Sequence, residues 1–363
     1  MTVATEEPEA GLDPVATKAR KSKGSGLGRY LLVRGLLIIP TVWILVTMVF
    51  FLMRITGDPI TAALGGRLTK QQLAERITEA GYDRPILVQY FEYLGKMLTG
   101  DFGTTLSDKK PVSGILLEYG TATLELVLFS LVVAFLIGIP LGMVAAYFRD
   151  RMPDAVLRVF AILAYATPVF FAGLLLKLIF ATNLDLLPVA GRASTSTELL
   201  LSRVQSPTGL YLLDAIRLGN WEVAGEILRY GTLPAIALGL MTAGVFLRLV
   251  RTNLIGTLGQ QYVEAGRSRG VSEYRLTTKH AYRPALIPII TVMGMQIAMM
   301  LGGAILTETT FEWKGLGFQL TQYLLARDFV AVQGIVALLA VIVALSNFVV
   351  DVIAALIDPR VRY

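Results

Sequence analysis

The chain has 363 residues, 54% of them hydrophobic and only 17% charged, with a mean hydropathy of +0.62 and a formal net charge of +6. Soluble domains carry about 25% charged residues, so this balance points to lipid, and the placement of the basic residues must be weighed before nucleic acid is invoked. With no cysteine and a single histidine, His280, disulfides, thiolate chemistry and a zinc site of the usual kind are excluded.

Residues 1–28 pass from acidic to basic to Gly/Ser-rich with almost no bulky apolar side chain, which predicts a disordered tail. Its Lys18, Arg20, Lys21 and Lys23 read as a solvated run, with anionic lipid as the alternative contact. Gly35–Met53 then opens a series of six charge-free stretches, continued by Leu126–Phe148, Val159–Leu176, Tyr230–Leu247, Pro284–Thr307 and Phe329–Val350. Roughly 20 apolar residues cross a hydrocarbon core of about 30 Å, so each is long enough to span. The first begins too far from Met1 for a signal peptide and lacks a small-residue cleavage site, so 29–56 reads as a retained transmembrane helix.

An extracytoplasmic segment is expected over 57–120. Thr69 with Gln72 makes a capping box for a short helix that Gly81 stops. A second helix follows Pro85, with Ile86, Tyr90, Tyr93 and Met97 on one stripe, resting on the membrane surface or against the spans. "GDFGTTLSDKKP" reads as turn. Residues 121–363 hold the other five helices. Within the loop 183–229, "GRASTSTELLLSRVQSPTG" looks irregular, and "GLYLLDAIRLGNWEVAGEIL" has amphipathic helical spacing with Tyr211 and Trp221.

With alternating spans, the short basic loops (Arg149, Arg151 and Arg158 in one, the stretch 248–283 in another) fall on the same side as both chain ends. The positive-inside rule makes that side cytoplasmic. The basic excess is thus a topology signal. Glu125, Lys177, Arg248 and Asp351 lie toward span ends, where snorkelling or a neighbouring carbonyl suffices. Gln296 lies well inside the fifth span and either lines a solute path or bonds another helix. A stand-alone ion-coupled carrier would need buried ionisable groups near the midplane, and none is expected, so the driving force must come from outside the bilayer. The chain contains no G-x-x-x-x-G-K-[ST], H-E-x-x-H or G-x-S-x-G, so no catalytic or metal residue is assigned and no ATP site is expected.

The cytoplasmic stretch 253–284 has helix signals from Thr257 to Arg269, a left-handed stop at Gly270, an N-cap at Ser272 and a second helix to about Ala281, with Pro284 opening span five. Ala265 and Gly266 leave part of the first helix nearly bare, beside Glu264, Arg267 and Arg269. This is either a solvated loop or a surface that another protein's backbone approaches closely.

"EAGRSRG" resembles the EAA loop of permease subunits in ATP-binding cassette (ABC) importers, with Glu264, Ala265 and Gly270 matching and Gly266 in place of the second alanine. "HAYRPALIP" is similar to the peptide/nickel branch, with Pro284 where asparagine is usual. "LVQYFEYLGKMLTGDFGTT" resembles the first permease of dipeptide and oligopeptide importers at Gln89, Tyr90, Gly100, Asp101, Phe102 and Gly103. "TATLEL" fits the start of span two. "ETTFEWKGLG" matches the family at Glu308, Phe311, Gly315 and Gly317, with Lys314 where proline is common, and Asp358-Pro359-Arg360 is familial too. The resemblance covers about 30–363.

It implies an all-α polytopic membrane protein of the type I ABC importer fold, with six transmembrane helices and cytoplasmic termini, in a bacterial or archaeal cell membrane. It also implies a second permease, two cytoplasmic ATPase subunits that carry the ATP and Mg, and an extracytoplasmic solute-binding protein. The chain itself would bind no cofactor. Glu264, Ala265, Gly266, Arg267, Arg269 and Gly270 become the ATPase-coupling residues. Glu308, Phe311, Trp313, Gly315, Gly317 and Gln296 are candidates for an outer gate or substrate path. Apart from the resemblance, Glu308, Glu312 and Asp328 cluster on the outer face, where they either meet a peptide amine or a binding-protein surface or are simply solvated acids. Dipeptides or oligopeptides are the expected solutes, with nickel, glutathione or another small solute as alternatives.

Overall fold

The computed structural model describes residues 27–55, 57–204 and 207–357. Most of the tail expected over 1–28, and the terminal Asp358-Pro359-Arg360, lie outside the described residues. Helix α1 (Leu27–Ile55) is the first span. Three short helices follow on the side expected to be extracytoplasmic, here called outer: α2 (Pro59–Leu64), α3 (Lys70–Glu79) and α4 (Ile86–Leu98). Helix α3 starts on the expected capping box, Gln72 N donating to Thr69 Oγ1 at 3.3 Å and Thr69 N to Gln72 Oε1 at 3.1 Å, and Gly81 follows it at φ +74°. Helix α4 rests against the first span: the Tyr90 and Tyr93 rings each lie 5.4 Å from Phe50, and the Tyr90 and Thr47 hydroxyls are 2.6 Å apart. Ile86, expected on the same stripe, is exposed.

Helix α5 (Val112–Tyr147) has 36 residues and α10 (Trp221–Leu258) has 38. At about 1.5 Å per residue they are roughly 54 and 57 Å long, well beyond a hydrocarbon core of about 30 Å. The charge-free windows thus mark only the apolar middles of these helices, which continue through proline-free polar flanks and run on past the internal Pro140 and Pro234. The two pack closely: a Cβ on Gly138 would lie 2.8 Å from the Ala243 carbonyl oxygen, and one on Gly239 2.6 Å from that of Ser130. Leu126, Ala134, Leu238 and Phe246 fill the seam, with Phe135 stacked on Phe246 at 5.2 Å.

The third predicted span is not one helix. Helix α6 (Met152–Ala166) and α7 (Val169–Leu176), the latter continued by a π-helical turn over Lys177–Asn183, meet at 106°. Pro168 has no N–H and forces Thr167 into extended backbone at ψ 124°, so the helix must bend there. Next come α8 (Thr195–Ser202), in a stretch expected to be irregular, and α9 (Tyr211–Arg217). Ser194 caps α8, and Glu226 of α10 accepts from Ser194 N and Thr197 Oγ1, both at 2.7 Å.

After α10 come α11 (Gln261–Ser268) and α12 (Glu273–Arg275), a π-helical turn over Leu276–Ala281, and α13 (Tyr282–Phe311). Helices α14 (Leu316–Leu325) and α15 (Phe329–Ile357) complete the order. Among the described residues five helices are long and apolar enough to cross a membrane, six spans if the bent pair counts as one. The apolar window of α10 is 72% buried and that of α1 only 11%, so α10 is the central post and α1 is peripheral, packed on α15.

Candidate functional site

The elbow after α10 begins where Gly259 and Gln260 break the helix. Val263 anchors α11 with no exposure, and Ala265 on its other face is open to solvent. Gly266 turns the other way. A Cβ there would lie 2.9 Å from Leu276 Cδ2, so its missing side chain lets α11 sit on the π-helical turn at the root of α13. Gly270, at φ +80°, ends the helix, and Val271 N reaches back to the Gly266 carbonyl at 3.2 Å. Arg267 donates to Glu264 Oε1 at 2.7 Å and also pairs with Glu273, bracing the two sides of the turn. Arg269 is exposed.

Ser272 occupies the expected cap position but makes no side-chain cap bond, and the second helix does not stop near Ala281. It runs through the π-helical turn into α13 without a break. Pro284 falls in the first turn of α13, where its fixed φ suits a helix.

The hydrogen bond from Arg267 holds the Glu273 carboxyl below its ordinary value of 4.5. A depressed carboxyl contributes stability that is present above its unfolded value and lost as pH falls through the folded one. Amide protection over 264–275, taken relative to intrinsic exchange, is therefore expected to fall as pH drops below the ordinary 4.5, and high salt should reduce the effect because the pair is exposed. Gly266→Ala should cost little, since Leu276 Cδ2 is the free end of a flexible side chain and alanine gains about 1 kcal/mol of helix propensity. Gly266→Val should lift α11 off its seat, read as increased proteolysis at the elbow.

Near the elbow, Asp154 at the start of α6 has no exposure and accepts from Arg251 of α10 at 2.5 and 2.7 Å and from Asp150 N at 3.0 Å. Arg248 lies over the Tyr165 ring at 5.9 Å.

On the outer side, α13 ends in a turn closed by Glu312 in left-handed backbone, with Trp313 N donating to the Glu308 carbonyl at 2.9 Å. The Glu308 side chain has 0% exposure. Its Oε1 accepts from Thr123 Oγ1 of α5 at 2.6 Å, and its Oε2 from Phe318 N, in the first turn of α14, at 3.0 Å. Thr123 Oγ1 in turn accepts from Leu316 N at 2.8 Å. A Cβ on Gly315 would collide with the Glu308 carboxylate, and one on Gly317 would lie 2.5 Å from Ile305 Cα. Trp313 is fully buried, its Nε1 donating to the Ala122 carbonyl at 2.9 Å, and Phe311 packs among Ala181, Leu233 and Ala237.

Two family models together match the chain: the binding-protein-dependent transport system inner membrane component over residues 138–363, and the N-terminal part of the same membrane component over 27–137. The chain belongs to this family of ABC importer permeases. It is 35% identical over 329 residues to a di/tripeptide transport system permease protein, DppB, of Pseudomonas aeruginosa, covering 90% of this chain and 96% of that protein. Against the dipeptide transport system permease protein DppB of Escherichia coli it is 34% identical, with the same coverage. The glutathione transport system permease protein GsiC of Salmonella typhi is 34% identical over 335 residues, 92% of this chain and 99% of that protein.

Of the candidates for an outer gate or substrate path, Glu308, Phe311, Trp313, Gly315 and Gly317 are all buried, packed as the outer turn described above. Asp328 is likewise not a surface acid. It has no exposure, and its Oδ2 accepts from Leu106 N, Ser107 N and Ser107 Oγ at 2.7, 2.8 and 2.9 Å, pinning the "GDFGTTLSDKKP" turn to the start of α15. Glu312 alone of the three acids is exposed. Gln296 is buried with no partner for its Oε1.

Of the charges expected near span ends, Lys177 meets a carbonyl, that of Thr310 at 3.1 Å, and Asp351 pairs with Arg34 at 3.4 Å. Glu125 differs. It and Arg192 form an ion pair at 2.6 Å with side chains 3% and 5% exposed, so the permease does bury ionisable groups in its helices. Arg192 also donates to the Gly209 carbonyl at 2.7 Å and stacks 3.6 Å from the Tyr211 ring centroid, while Leu212 N donates to Glu125 Oε1 at 2.8 Å. Sequence reasoning missed this pair because its partners are 67 residues apart, and no local spacing signals such a contact.

Proposed function

We propose that this permease forms half of the membrane path of an ATP-driven importer of short peptides and takes its driving force through α11. A second permease would complete the path, and two ATPase subunits, which hold the ATP and Mg, would grip the elbow. A solute-binding protein would deliver the peptide outside, and both chain termini would face the cytoplasm. The single observation that supports the coupling role most is the exposed Ala265 on a helix locked from behind by Val263 and Gly266 to the root of α13. A small side chain on a rigid, accessible helix permits close approach by another backbone, and α13 carries the displacement across the bilayer. Glu264, Arg267 and Arg269 frame that contact, and Gly270 ends it.

Peptides are favoured as solutes by the transport roles in the names of the DppB relatives, and glutathione, itself a small peptide, belongs to the same class. Gln296, buried with an unpaired acceptor, is the candidate for a contact with the path or with the second permease. The buried carboxylates Glu125 and Glu308 do not favour an ion-coupled carrier, because protein donors already occupy both.

The chain has no cysteine, so Ala265→Cys introduces a unique thiol. It should cross-link to a co-expressed ATPase subunit, whereas Arg217→Cys on the outer side should not. Ala265→Trp should leave the melting temperature unchanged yet reduce ATP-driven dipeptide uptake roughly tenfold or more, the effect of overpacking a close contact. Full uptake by that variant would remove α11 from the coupling path.

A further inference from the structure

A cavity of about 110 Å³ opens at the outer end of α1, between α1, α4, the turn before α5, and α15. Three of its lining side chains carry buried polar atoms with no partner in the chain: Arg54 Nε and Nη1, Gln333 Nε2 and Gln89 Oε1. Gln333 is 5% exposed and Gln89 8%. The Gln89 amide is oriented by its other end, Nε2 donating to the Tyr82 and Arg84 carbonyls at 3.0 and 2.8 Å. The Arg54 guanidinium is held between the Phe50 and Tyr82 rings, at 5.0 and 4.6 Å from their centroids. Buried donors are nearly always paired, and several unpaired ones lining the same small cavity mark a place for an acceptor.

The charges at the rim give the sign of that acceptor. Arg84 already takes Glu92 at 2.6 Å, and Asp101 accepts from Gly103 N at 2.9 Å. The lining balances Arg54 and Lys96 against Glu92 and Asp101, but Glu92 is taken by Arg84. Asp58 acts on Arg54 only through space while accepting from Thr61 N, so among the described residues no carboxylate forms an ion pair with Arg54 and its guanidinium is the open charge. We propose that this cavity binds a small carboxylate from the outer solution, its oxygens accepting from Arg54 and from Gln333 Nε2, with a bound water or amine at Gln89 Oε1. Guanidinium and amide N–H groups suit carboxylate oxygens in a site sheltered from bulk water. Because the lining comes from α1, α4 and α15, occupancy would fasten the peripheral first span to the core.

The probe is acetate, exchanged against chloride at constant ionic strength, with the full chain in lipid nanodiscs and its thermal unfolding midpoint as the readout. A saturable rise with acetate is expected, and Arg54→Gln should abolish it. Gln333→Glu supplies a carboxylate from within the cavity, so its midpoint in chloride should equal or exceed that of the parent chain and should no longer respond to acetate. A parent chain indifferent to acetate, or an Arg54→Gln variant that responds as the parent does, would overturn the assignment and leave the cavity to water.

Discussion

Replacing Glu308 with leucine is expected to destabilise the fold by about 2–5 kcal/mol, because two buried donors then lose their acceptor at a cost of about 1–3 kcal/mol each. Those donors are Thr123 Oγ1 and Phe318 N, and they belong to different elements, so the loss separates α5 from the α13–α14 turn. Glu308→Gln should cost less, since the amide oxygen still accepts from one of them. Gly315→Ala should match the leucine variant in severity without touching the carboxylate, because the added methyl needs the volume the carboxylate occupies. Thermal unfolding of the purified permease, compared across the three variants, checks this. A leucine variant as stable as its parent would show that the buried carboxylate is not what holds the turn.

Arg192→Met should be comparably damaging, at roughly 3–5 kcal/mol, because it strands the Glu125 carboxylate in a buried position without its counter-charge. The pair is the hinge between the outer loop and the span bundle: Glu125 comes from α5, Arg192 from the segment before α8, and Gly209, Tyr211 and Leu212 from around the start of α9. Replacing both charges, as Glu125→Leu with Arg192→Met, should cost less than Arg192→Met alone, since the isolated buried charge is gone and only the bonds at Gly209 and Leu212 are lost. Strict additivity of the separate Glu125→Leu and Arg192→Met effects in a double-mutant cycle would mean that the two side chains do not interact.

The sequence carried much of the architecture in local, periodic signals. Apolar runs located the spans, since lipid demands such a run wherever a helix crosses. The Thr69–Gln72 box set the start of α3, and Gly270 the end of α11, because caps are decided within a few residues. The helical elbow was legible for the same reason: Glu264, Ala265 and Gly270 lie close together in the chain, so their pattern survives without a third dimension.

Helix ends and side-chain roles were less accessible. The 106° break at Pro168 could be read as a tolerated kink or as a corner, and only the helices packed around α6 and α7 decide between them. The outer motif from Glu308 to Gly317 was a candidate gate or substrate path by its resemblance to the family, and nothing in the local sequence told how it packs. Folding brings Thr123, distant by 185 residues, onto the Glu308 carboxylate and buries both. Gly266 looked like a bare docking surface beside Ala265, yet Leu276 lies against it and leaves Ala265 alone exposed. Composition and period thus determined that this chain crosses a membrane several times and bears a short helical elbow between its fourth and fifth spans. Which charges are buried, which glycines are contacts and which residues stay open to a partner was decided only in the tertiary structure, because each depends on atoms brought together from far along the chain.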